Sequence, residues 1–89
     1  MEIRGNRAIA VADIPGSTDL LVVVEYHDFR GAWPNLFRVT QEGEERWESA
    51  PPGAADAYLT ARVEGDEVAA RTHYGRLVRL DLQTGAVRS

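Results

Sequence analysis

Few side chains in this sequence are of types that perform chemistry, and their spacing decides what they can do. His27 and His73 are the only histidines; with Asp28 nearby they suggest a metal site or an acid–base pair. Neither has an i+3 or i+4 partner of ligand type, so both read as structural or surface residues. Nucleophiles are limited to Ser17, Ser49, Ser89 and the threonines, none in a Gly-x-Ser-x-Gly elbow. Glu42, Glu44, Glu45 and Glu48 have the makings of paired carboxylates, but they surround a turn where alternate residues face water. The chain has no cysteine, and all ten of its basic residues are Arg. Disulfides, thiolate nucleophiles, Schiff-base amines and a phosphate-loop lysine are thereby excluded. No catalytic residue, metal or cofactor is expected, and the chain reads as a non-enzyme.

Residues suited to binding are easier to find. Arg62, Arg71 and Arg79 should share one polar sheet face, with Arg71 opposite Arg79, where they would take an anion or an acidic partner. The plainer alternative pairs them across strands with Tyr58, Glu64 and Asp81. RNA-reading sheets add stacking aromatics, and Tyr58 is the one aromatic expected on this face. Phe29, Arg30 and Trp33 are of the types that dominate binding hot spots, and they fall in the loop 28–34. Alternatively, Phe29 and Trp33 fold back to plug one end of a small core.

What must position these residues is bounded by length and composition. Eighty-nine residues suffice for one domain with one thin core. A hydrophobic content of 44% with 27% charged residues marks a chain that folds rather than stays disordered. A net charge of −4 argues against nucleic acid and anionic membranes as partners. Asp13 and Pro15 interrupt the first apolar stretch, so neither a signal peptide nor a membrane span is expected, and the absence of cysteine fits a cytoplasmic setting. Abundant Ala, Gly, Val and Arg without Lys point to a GC-rich, bacterial genome.

Glycines and prolines cut the chain into segments too short for helices. Strands are expected over 7–13, 20–27, 35–40, 45–49, 57–64, 67–73 and 77–82, with a stub at 86–88. A one-residue slip in a hairpin flips every side chain to the other face, so loop lengths can be tested by parity. A Gly65-Asp66 turn pairs Glu64 with Glu67 and gathers Leu59, Ala61 and Val63 with Val68, Ala70 and Thr72. The other face then carries Tyr58, Thr60, Arg62, Glu64, Arg71 and His73. A Tyr74-Gly75-Arg76 loop brings Val78, Leu80 and Leu82 to the apolar face. A Glu42-Gly43-Glu44 loop groups Phe37, Val39 and Trp47. Leu20 to Val24 is apolar on both faces, as is Ala8 to Val11. These strands must either sit where the sheet curls into a sandwich or barrel, or be covered by a second subunit.

The stretch 35–47 aligns with 76–88, with one residue inserted before the second glycine, and Val22 to His27 aligns with Val68 to His73. Each unit runs strand, Gly turn, Leu-x-Arg-Leu-Asp-x-x-Thr-Gly or its counterpart, and closing strand. Over roughly 20–89 it resembles a blade of the quinoprotein-type (PQQ-like) β-propellers. That resemblance implies that Asp and Thr-Gly build the outer turn and that a Trp four residues after the Gly docks neighbouring blades. Trp47 fits that place after Gly43, while Ser89 occupies it after Gly85. A closed propeller needs about four to eight blades, and the chain supplies about two; no quinone or metal ligand of the family carries across. The expectation is an all-β antiparallel meander of seven to eight short strands in a curled sheet or small sandwich, residues 1–89 forming one domain with blade-like repeats near 20–49 and 57–89. Its expected role is a non-catalytic interaction module, self-associating as a homodimer or binding another protein through the 28–34 loop or the second face of Leu20 to Val24. The alternative is a small-molecule or anion pocket with minor enzyme activity built from His27, His73 and the Arg cluster.

Overall fold

The computed structural model describes residues 1–26, 34–53 and 55–88, and among them every regular element is an antiparallel strand. A five-stranded sheet follows chain order: β1 (Glu2–Ile3), β2 (Asn6–Asp13), β3 (Leu20–Val24), β4 (Leu36–Val39) and β5 (Glu45–Glu48). A three-stranded sheet follows it, with β6 (Tyr58–Glu64), β7 (Glu67–Thr72) and β8 (Leu77–Asp81). The stub at 86–88 contributes one bridge, Val87 to Leu80. Among the described residues no helix is long and apolar enough to cross a membrane.

The expected parity holds until a bulge interrupts it. Glu64 pairs with Glu67 across the Gly65-Asp66 turn, and Val63 with Val68. Beyond Thr60 the register shifts, so that Tyr58 rather than Leu59 faces inward. Tyr58 is fully buried and Leu59 is 42% exposed, the reverse of the expectation. An extra residue in one strand of a pair changes which side chains look in. A second bulge, between Arg38 and Val39, places Trp47 opposite Arg38 and away from Phe37 and Val39. A third, between Ala8 and Ala10, leaves Ile9 and Val11 turned outward, so β2 alternates where apolar residues on both faces were expected inside.

Two cores result. Leu21, Val23, Leu36 and Trp47 of the first sheet pack against Tyr58, Val68, Ala70, Val78 and Leu80 of the second. On the far side of the first sheet, Ile3, Val22, Val24, Phe37 and Val39 form a separate cluster. β1 and β5 lie at opposite ends of the strand order, yet Arg4 of the β1–β2 turn pairs with Glu45 at 2.7 Å and Glu48 at 2.5 Å of β5. The sheet therefore curls round the second cluster, and the Arg4 guanidinium lies 5.1 Å from the Phe37 ring centre. Curling, with the second sheet, buries both faces of Leu21 to Val24, while Ile9 and Val11 of β2 remain exposed.

The sheets are locked where Trp47 crosses between them. Its indole N–H donates to the Leu82 carbonyl at 2.9 Å, and its ring lies on Gly85, where a Cβ would stand 2.6 Å from Cδ2. Gly65 and Gly85 both adopt positive φ, but only open space faces Gly65. Gly65→Ala should cost about 1 kcal/mol for left-handed backbone alone, whereas Gly85→Ala, which also overpacks the indole, should cost about 2–4 kcal/mol. Urea denaturation of the two variants reads the difference.

Candidate functional site

The outer face of the β6–β8 sheet is built by its register. Arg62 pairs with Ala69, and Ala69 with Arg79, so one cross-strand row reads Arg, Ala, Arg. The next row reads Thr60, Arg71, Leu77, and on the other side Glu64, Glu67, Asp81. Successive side chains alternate in direction, which brings Arg62, Arg71 and Arg79 onto one face as expected. Arg71 is opposite Leu77, however, and not Arg79. The turn is His73-Tyr74-Gly75, closed by the Thr72 N–H on the Arg76 carbonyl at 2.9 Å and by the Arg76 N–H on Thr72 Oγ1 at 3.1 Å. A slip of two residues moves the pairing but preserves the face.

Over the Ala69 methyl lies a hollow of about 180 Å³, walled by Thr60, Arg62, Arg71 and Leu77. Charges around it are unevenly matched. Arg62 Nε donates to Glu64 at 2.6 Å, and Arg79 reaches Glu64 at 3.0 Å and Glu67 at 3.4 Å. Arg79 and Arg62 together hold the Glu64 carboxyl below its ordinary range. Asp81 pairs with Arg88 at 2.6 Å and not with the three expected arginines. Arg71 has only the Gly75 carbonyl, at 3.3 Å. Among the described residues, every other guanidinium has a carboxylate partner and Arg71 has none.

The remaining candidates belong to the scaffold. Ser49 is buried, donates to the Ala50 carbonyl at 2.9 Å and meets the Tyr58 hydroxyl at 3.2 Å. Glu45 and Glu48 serve Arg4, while Glu42 and Glu44 are exposed at the hairpin tip. His73 is exposed and sets its ring edge-on to Tyr74, 5.3 Å between centres. His27, Phe29, Arg30, Trp33 and Ser89 lie outside the described residues. At the end of the inter-sheet core that holds Tyr58, Asn35 Nδ2 donates to the Val24 and Tyr58 carbonyls. Beside it Asp56, 1% exposed, accepts from the Ala57 and Tyr74 N–H groups and from Arg76. Among the described residues no buried side-chain polar atom lacks a partner, and no three His, Asp or Glu side chains gather to hold a metal.

One cluster escaped the sequence reading. Asp19 Oδ2 accepts from Arg38 Nε at 3.0 Å and Arg46 Nε at 3.2 Å, beside a polar hollow of about 370 Å³. Its signal was Arg38, which shares with Leu36 the side of β4 that faces the second sheet and therefore needs an acid. No protein-family model, curated protein or solved structure matches the chain.

Burial by itself would raise the Asp56 carboxyl, but hydrogen bonds from Thr72, the Ala57 and Tyr74 amides and Arg76 hold it below the usual carboxylate range. Its folded value is thus below its unfolded one, so its contribution is complete above about pH 4 and lost as pH falls through the folded value. Asp56→Asn should cost about 2 kcal/mol at neutral pH and flatten the acid limb of stability, as followed by urea midpoints from pH 7 to pH 2.

Proposed function

We propose that the chain is a non-catalytic binding module that receives an acidic, partly apolar protein segment on the outer face of the β6–β8 sheet. The observation that carries this reading is Arg71: exposed, without a carboxylate partner among the described residues, and at the rim of a methyl-floored hollow beside Leu77, which is 43% exposed. A guanidinium beside apolar contact area is the pairing that anchors protein interfaces. Among the described residues every buried polar side-chain atom already has a hydrogen-bond partner, which supports a structural role for these groups. A small-molecule pocket using His27, His73 and the Arg cluster has less support, because Arg62 and Arg79 are already engaged by Glu64. The reach of Trp47 to Gly85 supports reading the two sheets as adjacent blade-like repeats, and the cysteine-free composition supports a cytoplasmic setting.

A capped Leu-Glu-Leu-Glu-Leu peptide is a suitable probe. Its titration should move the amide resonances of Thr60, Ala69, Arg71 and Leu77, and Arg71→Gln should weaken binding about tenfold or more through the lost charged hydrogen bonds. Shifts located elsewhere, or an affinity indifferent to Arg71→Gln, would reject this surface.

A further inference from the structure

The hollow beside Asp19 collects hydrogen-bond donors from three separate segments. Ser17 and Thr18 come from the β2–β3 connection, Arg38 and Arg46 from β4 and β5, and Gln83 from the turn after β8. Arg38 is spent: Nε binds Asp19, Nη1 the Leu82 carbonyl at 3.1 Å and Nη2 the Ser17 hydroxyl oxygen at 3.4 Å, and its side chain is 12% exposed. Arg46 is not. It is held only through Nε, its side chain is 57% exposed, and its Nη groups have no partner among the described residues.

The hydroxyls point to the same surplus. Ser17 Oγ accepts from the Asp19 N–H at 3.0 Å and from Arg38, so its own proton remains to be donated. The Thr18 hydroxyl and the Gln83 side-chain amide line the hollow and make no hydrogen bond to a described residue. Asp19 is the one carboxylate in this lining, and its charge is already shared between two guanidiniums, so the lining carries a residual positive charge. Unspent donors on three sides of a positive concavity suit a ligand that presents three or four acceptor oxygens around one centre.

We propose that this hollow is a binding site for a phosphate-type oxyanion, free or as a small phosphomonoester, with Arg46, Ser17, Thr18 and Gln83 as its donors and Asp19 as the group that aims Arg46. It lies away from the Arg71 face and stands or falls independently of it. Arg46→Gln removes the ligand's charge partner at an exposed side chain and leaves the Asp19–Arg38 pair that the fold uses.

Inorganic phosphate, titrated at constant ionic strength against chloride, provides the test by heteronuclear NMR. Saturable shifts are expected at Ser17, Thr18 and Gln83, with Arg46→Gln weakening the affinity about tenfold or more and Ser17→Ala about threefold. Arg7→Gln, an exposed arginine paired with Glu25 elsewhere, should leave the affinity unchanged. Glycerol 3-phosphate distinguishes the sources: tighter binding than inorganic phosphate assigns the site to a phosphomonoester, equal binding to the free ion. Shifts that chloride reproduces, that never saturate, or that Arg46→Gln leaves in place would overturn the proposal.

Discussion

Val22 and Val23 are neighbours in β3, point in opposite directions, and are both almost completely removed from water. That requirement organises the molecule, because a sheet with one wet face cannot satisfy it. The β6–β8 sheet covers the Val23 side. On the Val22 side the first sheet covers itself, by curling until the β1–β2 turn meets β5. The Arg4-Gly5 turn, with both residues at positive φ, has the backbone twist that suits a tight two-residue hairpin, and it delivers the Arg4 side chain across the mouth of the curl.

Two sheets that share a core need something to fix their relative position, since apolar contact alone is nondirectional. The Leu82 carbonyl supplies direction: one lone pair accepts the Trp47 indole N–H and the other accepts Arg38 Nη1. Both donors come from the first sheet and the acceptor from the second. A displacement of the sheets would break both bonds and drive the indole off Gly85.

Much of this architecture was legible. Glycine spacing gave the strands, two-sided apolarity announced the double covering of β3, and parity put Val78 and Leu80 behind the sheet even though the turn proved to be His73-Tyr74-Gly75. The outer turns of the repeat also match: the Gly43 N–H closes on the Thr40 carbonyl as that of Gly85 closes on Asp81, the second turn being one residue longer. The bulges were not legible. Nothing in the types of Leu59, Arg46 or Ile9 distinguishes an inserted residue from a paired one, and each insertion inverts the faces beyond it, which is how Tyr58 and Leu59 exchanged places. The Arg62–Arg71–Arg79 face was found because it follows from parity alone. Its decisive detail, that Arg71 stands without an acid among the described residues, depends on which rung each arginine occupies. The Asp19 cluster joins residues far apart in sequence, a relation that strand periodicity does not encode.

The two ends of the inter-sheet core make an instructive contrast. Asp19 precedes β3, and Asn35 binds the carbonyl at its far end, with Asp56 beside it. Each carboxylate is nearly enclosed and is matched to arginine, an arrangement that specifies geometry more than it adds stability, since desolvation offsets much of the Coulomb attraction. At Asp56 the accounts close: two amides, a hydroxyl and one guanidinium saturate the acid, and that guanidinium also reaches the Pro52 carbonyl. At Asp19 two guanidiniums compete for the same oxygen, so one of them keeps its terminal donors. The donors that Arg46 keeps, set beside those of Ser17, Thr18 and Gln83, are the excess on which the proposed oxyanion site rests.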